Sequence, residues 1–416
     1  MTLLDRLRFA FASEKAGHIL LPHRAIWRAW RRRRPPPSLS AARSILVVRL
    51  DEIGDVVLSS AFFRELRRNA PRARITAVVK PACADLLAAC PYLDTVETFH
   101  APSGSWDAAH YFALRRAVIA HNVRRFFSRR FDLILLPRRN PDHRDGEFLA
   151  FSSGLAFVAA LDDFAAPANR DGRYRRSFSE ARYPVTRPLH DGDYGLALLE
   201  NLGGKILNRA PEAWTHPADQ ADAVKFLATH FNPAQPFAVL HPSGGNSALK
   251  QWPVANFATV AHSLALRHGL QWLVIGGADE SRIREKFPLT DSPRIVPAPG
   301  SLSLRTLTAV LAHARLFIGG DSGPMHLAAA AGTPLVAVFG PTSESRFAPL
   351  GATSLVVSSH LSCSPDRTGT LMDRCAHCIY SEPRCLTELT VQPVLEAAHQ
   401  LLAANPPVRA SSSLVQ

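Results

Sequence analysis

Between Leu316 and Gly340 the chain reads L-F-I-G-G-D-S-G-P-M-H-L-A-A-A-A-G-T-P-L-V-A-V-F-G, and its centre carries residue types suited to an anion. Asp321-Ser322-Gly323 supplies an N-cap, and Pro324 fits the first helical turn because it lacks an N–H that a helix start cannot pair. Backbone N–H groups at such a start, helped by the helix dipole, suit a diphosphate. The same residues also describe an ordinary strand–helix–strand turn, and spacing alone leaves both readings open. A second stretch, His241-Pro242-Ser243-Gly244-Gly245-Asn246-Ser247 followed by Lys250, sets a Gly/Ser loop and a lysine at a strand end, a reasonable phosphate cradle. The G-x-x-x-x-G-K-[ST] pattern is absent, so no Walker-type nucleotide site is implied.

Carboxylates and cations stand at other strand ends. Asp55 closes Asp51-Glu52-Ile53-Gly54-Asp55, where a first loop enters its helix, and it reads either as a site carboxylate or as a helix cap. Asp279-Glu280 follows another strand and would bind ribose hydroxyls or cap the next helix. Arg138, Arg139 and His143 lie in a loop after a strand and are candidates for gripping an anionic acceptor, with a solvated loop as the plain alternative. His241 and His326 fall on the ligand face without Ser or Cys partners at triad spacing. Cys363, Cys375, Cys378 and Cys385 crowd into one segment around a C-A-H-C core containing His377. In a reducing compartment that favours free thiols or a metal over disulfides. The C-x2-C pair is half a zinc signature, which makes a structural zinc one reading, although the remaining spacings match no standard finger or ribbon.

These residues need a scaffold of strands and helices. Ile45–Leu50, Ile75–Val79, Thr95–Phe99, Phe131–Leu136, Phe237–Leu240, Trp272–Ile275, Leu316–Ile318 and Leu335–Phe339 read as strands, several of them continuous apolar runs buried on both faces. Val56–Asn69, Asp85–Cys90, Trp106–Arg130, Leu149–Leu161, Tyr194–Leu202, Asn256–His268, a helix opened by Leu302-Ser303-Leu304 and Met325–Ala331 read as helices. Gly332 and Pro334 end the last of these. Residues 163–193 read as a long basic loop or flap. The opening is a Rossmann-like βαβ unit without G-x-G-x-x-G, which argues against NAD or FAD. The expected organisation is a basic amphipathic extension over 1–43, one α/β domain over 44–205, a linker region over 206–236, a second α/β domain over 237–404 and a tail over 405–416.

Composition narrows the partners. The chain has 416 residues, a formal net charge of +13 and a sequence pI near 10.0. That balance implies an anionic partner, yet no nucleic-acid module is visible, so a lipid surface or phosphorylated glycan accounts for it at least as well. Residues 1–43 interleave arginines with Trp27, Trp30 and several leucines, a pattern able to lie in an anionic headgroup layer or to form a plain extension. No apolar run spans a bilayer and no signal segment is evident, so the chain reads as cytosolic.

Three blocks carry a resemblance to a known family. R-L-D-E-I-G-D-V-V-L-S-S-A-F-F-R-E-L-R-R (49–68), H-P-S-G-G-N-S-A-L-K-Q-W-P (241–253) and G-G-D-S-G-P-M-H-L-A-A-A-A-G-T-P-L-V-A-V-F-G-P-T (319–342) resemble glycosyltransferase family 9, the ADP-heptose:lipopolysaccharide heptosyltransferases. The resemblance extends more weakly from about Arg43 to Leu402 and is faint over the acceptor half. It implies a GT-B fold, two Rossmann-like domains with parallel sheets facing a cleft. It further implies Asp55 as general base, Lys250 at the donor phosphates, and Asp321, Ser322 and Gly323 at the diphosphate and sugar. Ser243 and Gly244 would lie beside the phosphates, Glu280 at the ribose and Leu302 at the adenine, with Pro324, Met325 and His326 completing the helix start. The expected activity is inverting transfer, most simply of heptose from ADP-heptose to a lipid-linked anionic glycan. No permanently bound cofactor is expected, and the enzyme would work at the cytoplasmic face of the inner membrane. A GT-B transferase of a UDP- or GDP-sugar and a non-catalytic glycan- or lipid-binding relative are the alternatives.

Overall fold

The computed structural model describes residues 36–102, 108–127, 129–138, 146–154, 156–162, 179, 181–185, 187–244, 247–276, 295–298, 302–351, 353–366, 375 and 377–405. The chain divides after Pro211 into two compact units. The first contains β1 (Ser44–Arg49), α1 (Ile53–Leu58), α2 (Ser60–Asn69), β2 (Arg74–Val79), α3 (Pro81–Leu87), β3 (Thr95–Thr98) and α4 (Ala108–Phe126). It continues with β4 (Leu133–Leu136), α5 (Gly146–Ser152), β5 (Phe157–Asp162), β6 (Ala181–Pro184) and α6 (Asp191–Asn201). Its six strands are parallel in the order β3-β2-β1-β4-β5-β6.

The second unit repeats the plan. It contains α7 (Pro217–His230), β7 (Phe237–His241), a 3-10 turn (Ala248–Lys250), α8 (Val254–His268), β8 (Gln271–Val274), β9 (Ile295–Pro297) and α9 (Leu304–His313). Then come β10 (Phe317–Gly320), α10 (Gly323–Ala330), β11 (Leu335–Val338), α11 (Glu344–Phe347), β12 (Ser354–Val357), α12 (Arg384–Thr387) and α13 (Val391–Ala404). Its parallel strands run β12-β11-β10-β7-β8-β9. Counted within each unit, both sheets have the doubly wound order 3-2-1-4-5-6, in which the first and fourth strands are neighbours. The expected GT-B class of fold, two Rossmann-like parallel-sheet domains, is what the chain adopts.

Burial explains the strands. Ile45, Leu46, Val47 and Val48 are at most 1% exposed, because crossover helices cover both faces of a parallel sheet. The same rule explains a correction. Leu149–Leu161 was expected as one helix, but α5 ends at Ser152 and Phe157–Asp162 is β5, paired in parallel with β4 and β6. An apolar run buried on both faces looks alike as strand or helix. Gly154, at a φ of 143° that suits only glycine, separates the two elements. The flap expected over 163–193 likewise contains β6 and the start of α6, while 163–178 lie outside the described residues. Most of the basic extension, 1–35, also lies outside them. Among the described residues no helix is long and apolar enough to cross a membrane.

In the second unit, Trp252 ties the loop after β7 to the far end of the chain. Its side chain is 1% exposed, donates from Nε1 to the Leu389 carbonyl at 2.9 Å and meets Phe257 edge-on at 4.7 Å. Lys250 sits two residues earlier, so this anchor helps fix the lysine's backbone. Trp252→Ala is expected to destabilise the C-terminal unit by about 3–5 kcal/mol, read as an earlier urea transition of that unit.

Candidate functional site

Open α/β sheets bind ligands outside the carboxyl ends of the strands, where the crossovers part at a reversal in strand order. In the first unit that point lies between β1 and β4, and in the second between β7 and β10. The sequence candidates gather at these two places.

In the first unit β1 delivers Arg49, and the following loop delivers Asp51 and Asp55. The helix begins earlier than the sequence suggests, with Glu52 as N-cap and α1 ending at Leu58 before α2 resumes at Ser60. Asp55 therefore sits in the first turn, where its Oδ2 accepts the Glu52 N–H at 2.9 Å. The carboxylate braces the helix start, as the cap reading expects, and it also stands at the switch point. Burial pushes its pKa up to about 7, reinforced by the charges of Asp191 and Asp51, while Arg49 and the Glu52 N–H pull it down. A carboxylate poised near neutrality can accept a proton at physiological pH. Arg138, just past β4, points Nη2 at Asp51 Oδ1 across 3.2 Å, so this expected acceptor contact is engaged with an aspartate. Arg139 and His143 lie outside the described residues.

The second unit brings its own candidates together. Lys250 Nζ donates to Asp321 Oδ2 at 2.6 Å, linking the loop after β7 to the loop after β10. Both groups are largely buried, the lysine 19% and the aspartate 9% exposed at the side chain. Ser322 is the N-cap of α10 but makes no side-chain cap bond. Its Oγ instead donates to the Gly320 carbonyl at 3.1 Å and lies 3.0 Å from His241 Nδ1. Burial holds the His241 imidazole down to about 4, so it is neutral, a hydrogen-bond partner rather than a charge. Gly323 and Pro324 open the helix, while the Met325 and His326 side chains are buried. What those two positions can offer a ligand is backbone.

The phosphate-type loop is folded by a residue the sequence reading passed over. Gln251 accepts the Gly244 N–H at Oε1 (3.1 Å) and donates from Nε2 to the Pro242 carbonyl (2.5 Å). A Cβ on Gly244 would fall 2.8 Å from the Ser247 carbonyl oxygen and 2.9 Å from the Gln251 nitrogen, so only glycine fits this turn. Ser243, 9% exposed, precedes it. Leu302, half-buried, stands just before Ser303, the N-cap of α9, whose Oγ accepts the Thr306 N–H at 3.0 Å. Glu280 lies outside the described residues.

Arg49, Asp191 and Gln251 were not singled out as site residues from sequence. The signal for Arg49 was present, an arginine in an otherwise apolar strand, but its partner Asp191 is 142 positions away.

The cysteines assemble differently from the metal expectation. Cys363, Cys375, Cys378 and Cys385 line one pocket with His377 and Gly340. Burial, with the neighbouring thiols, raises the Cys385 pKa to about 11, and the Cys375 pKa moves the same way. Among the described residues no three His, Cys, Asp or Glu side chains are grouped to hold a metal ion. The structural zinc reading is therefore not supported.

With this geometry in place, likeness to known proteins becomes informative. Residues 205–376 match the family model Glycosyltransferase family 9 (heptosyltransferase). Lipopolysaccharide heptosyltransferase 3 of Escherichia coli is 24% identical over 306 residues, covering 70% of this chain and 82% of its own. Among solved structures, the family 9 glycosyltransferase of Veillonella parvula superposes with a TM-score of 0.68 at 20% identity, covering 89% of this chain and 99% of its own. The E. coli heptosyltransferase WaaC with ADP-2-deoxy-2-fluoro heptose superposes at 0.57 and 19%, covering 87% and 100%. The structural likeness establishes the fold; the family match falls on the stretch that holds Ser243, Gly244, Lys250 and the Asp321–Met325 turn. The chain is thus similar to the family 9 glycosyltransferases, with residues 205–376 carrying the family match.

Proposed function

We propose that the protein is an inverting glycosyltransferase that moves heptose from ADP-heptose to a lipopolysaccharide core or a related anionic glycan. The observation that carries this reading is the Lys250–Asp321 pair, which sets a cation beside the N-terminus of α10 at the sheet's switch point. The names of the relatives and the ADP-heptose analogue in the WaaC structure support the choice of donor. Association with an anionic membrane surface is part of the proposal and is supported by the net charge of +13.

In the proposed step the acceptor hydroxyl attacks the anomeric carbon and the bond to the diphosphate breaks in one displacement. Asp55 takes the hydroxyl proton as the new bond forms. Negative charge then grows on the departing nucleoside diphosphate. Lys250 meets it, exchanging part of its contact with Asp321 for phosphate oxygens, and the N–H groups of Gly323 and Met325 add to that stabilisation. Ser322 is held in place for the sugar–diphosphate by His241, and Ser243 and Gly244 lie along the phosphates. Arg138, Arg139 and His143 are proposed acceptor contacts, Glu280 and Leu302 ribose and adenine contacts.

Two outcomes test this reading. Thermal shift with ADP, UDP, GDP and CDP at equal concentration is expected to show stabilisation selective for ADP. Lys250→Ala should weaken ADP binding about 10- to 100-fold, the loss of ~1.5–3 kcal/mol for a hydrogen bond to a charged group. Preference for UDP or GDP would move the donor, and no response to any nucleotide would favour a non-catalytic relative.

Asp55→Asn should lower kcat by roughly 10²–10⁴-fold, the usual contribution of a general base. Stability should move the other way. Asp55 titrates higher in the folded chain than its ordinary 3.8, so the stability linked to its neutral form is present at low pH and lost as pH rises through about 7. The Asn variant escapes that loss. Its Tm advantage over the wild type should be larger at pH 8 than at pH 5 and close only below about pH 4, measured by calorimetry across that range.

A further inference from the structure

The charges behind Asp55 are arranged beyond what a helix start requires. Arg49 is 2% exposed and wholly committed to the interior. Its Nη1 donates to the Pro137 carbonyl at 3.0 Å and lies 3.3 Å from Asp51 Oδ2. Its Nη2 donates to the Asp55 backbone carbonyl at 3.2 Å and to Asp191 Oδ2 at 2.9 Å. One guanidinium thus joins the end of β1, the exit of β4, the first turn of α1 and the start of α6. The arginine holds Asp55 by its backbone and gives its charged N–H to a different carboxylate.

We propose that Asp191 is a positioning residue for proton transfer: by engaging the Arg49 guanidinium it keeps that cation's N–H groups away from the Asp55 carboxylate and preserves Asp55 as a base. This rests on the reading of Asp55 as general base. Asp191 is 7% exposed and is the first residue of α6, where both the helix dipole and a direct charged hydrogen bond from Arg49 favour a carboxylate. The remaining charges around Asp55 are already engaged. Arg138 binds Asp51 at 3.2 Å, and Lys80 binds Glu52 at 2.6 Å. On α2, Arg64 faces Glu65. His190 accepts the Gly192 N–H at Nδ1 on α6, and burial holds the Cys83 thiol of α3 at about 12, hence neutral. After burial, the charge of Asp191 does most to raise the Asp55 pKa, with Arg49 acting against it.

If Asp191 loses its charge, Arg49 keeps its own, is left with Asp51 as its close counterion and acts on Asp55 with less compensation. Asp55 then becomes a stronger acid and a weaker base. The test is Asp191→Asn in the full chain, which keeps the side chain's shape and an acceptor for Arg49. The titration of Asp55 is followed without substrate by carboxyl carbon NMR on aspartate-labelled protein, assigned with Asp55→Asn. The expected result is an Asp55 midpoint at least one pH unit lower. The acid limb of kcat/KM should move down with it, and kcat on the alkaline plateau should fall severalfold while KM for the donor is unchanged. An unmoved Asp55 midpoint overturns the proposal. A lowered midpoint in a chain whose Asp55→Asn variant stays fully active would uphold the coupling and overturn the base reading instead. Should Asp191→Asn fail to fold, Asp51→Asn removes the other raising charge and should lower the midpoint in the same direction; no change there also overturns the account.

Discussion

The constraint on which the rest depends is the reversal of strand order at the middle of each sheet. Crossovers leave β1 and β4 in opposite directions, and so do those that leave β7 and β10, so the carboxyl ends of these strands stay uncovered by helix. Parallel strands must be buried on both faces, which leaves polar and charged groups few places in each unit. They collect at the strand ends because only there can they reach partners, water or a ligand. Asp55 and Arg138 in the first unit, and Lys250 and Asp321 in the second, are not scattered at random. Each follows a strand that borders the switch point of its own sheet.

Charge management follows from that placement. Burying an ion without a partner is costly, and a buried pair remains only where geometry and hydrogen bonds offset desolvation. The two units solve this in different ways. In the C-terminal unit a single cation meets a single carboxylate, Lys250 to Asp321, in a contact that a phosphate could share. In the N-terminal unit Arg49 sits among Asp51, Asp55 and Asp191, and three carboxylates around one cation leave one of them under-compensated. Burial first, and then the charges of Asp191 and Asp51, raise the Asp55 pKa to about 7. A carboxyl group that titrates near pH 7 is then a product of the fold rather than of the residue.

What the sequence revealed was local. The start of α10, with Ser322 before Gly323 and Pro324, was legible because capping chemistry is written in consecutive residues. The doubly wound class was legible from apolar runs alternating with helices, and the family resemblance rests on the same three blocks. Where the reading failed, local pattern was ambiguous or insufficient. Phe157–Leu161 could pair as a strand only because β4 and β6 flank it, and nothing in the run itself says so. Contacts across the fold were out of reach: Ser322 meets His241 from 81 positions away, and Arg49 meets Asp191 from 142. The cysteine cluster misled in the opposite sense, since proximity in sequence suggested ligands for a metal that the described side chains are not arranged to bind.

The central claim is a single displacement at the anomeric carbon with Asp55 receiving the acceptor proton. The most direct measurement is the anomeric configuration of the transferred sugar, determined by NMR of the purified glycan product formed from ADP-heptose. The account predicts inversion relative to the donor. Retention would require two displacements or attack from the leaving-group face, and would contradict it.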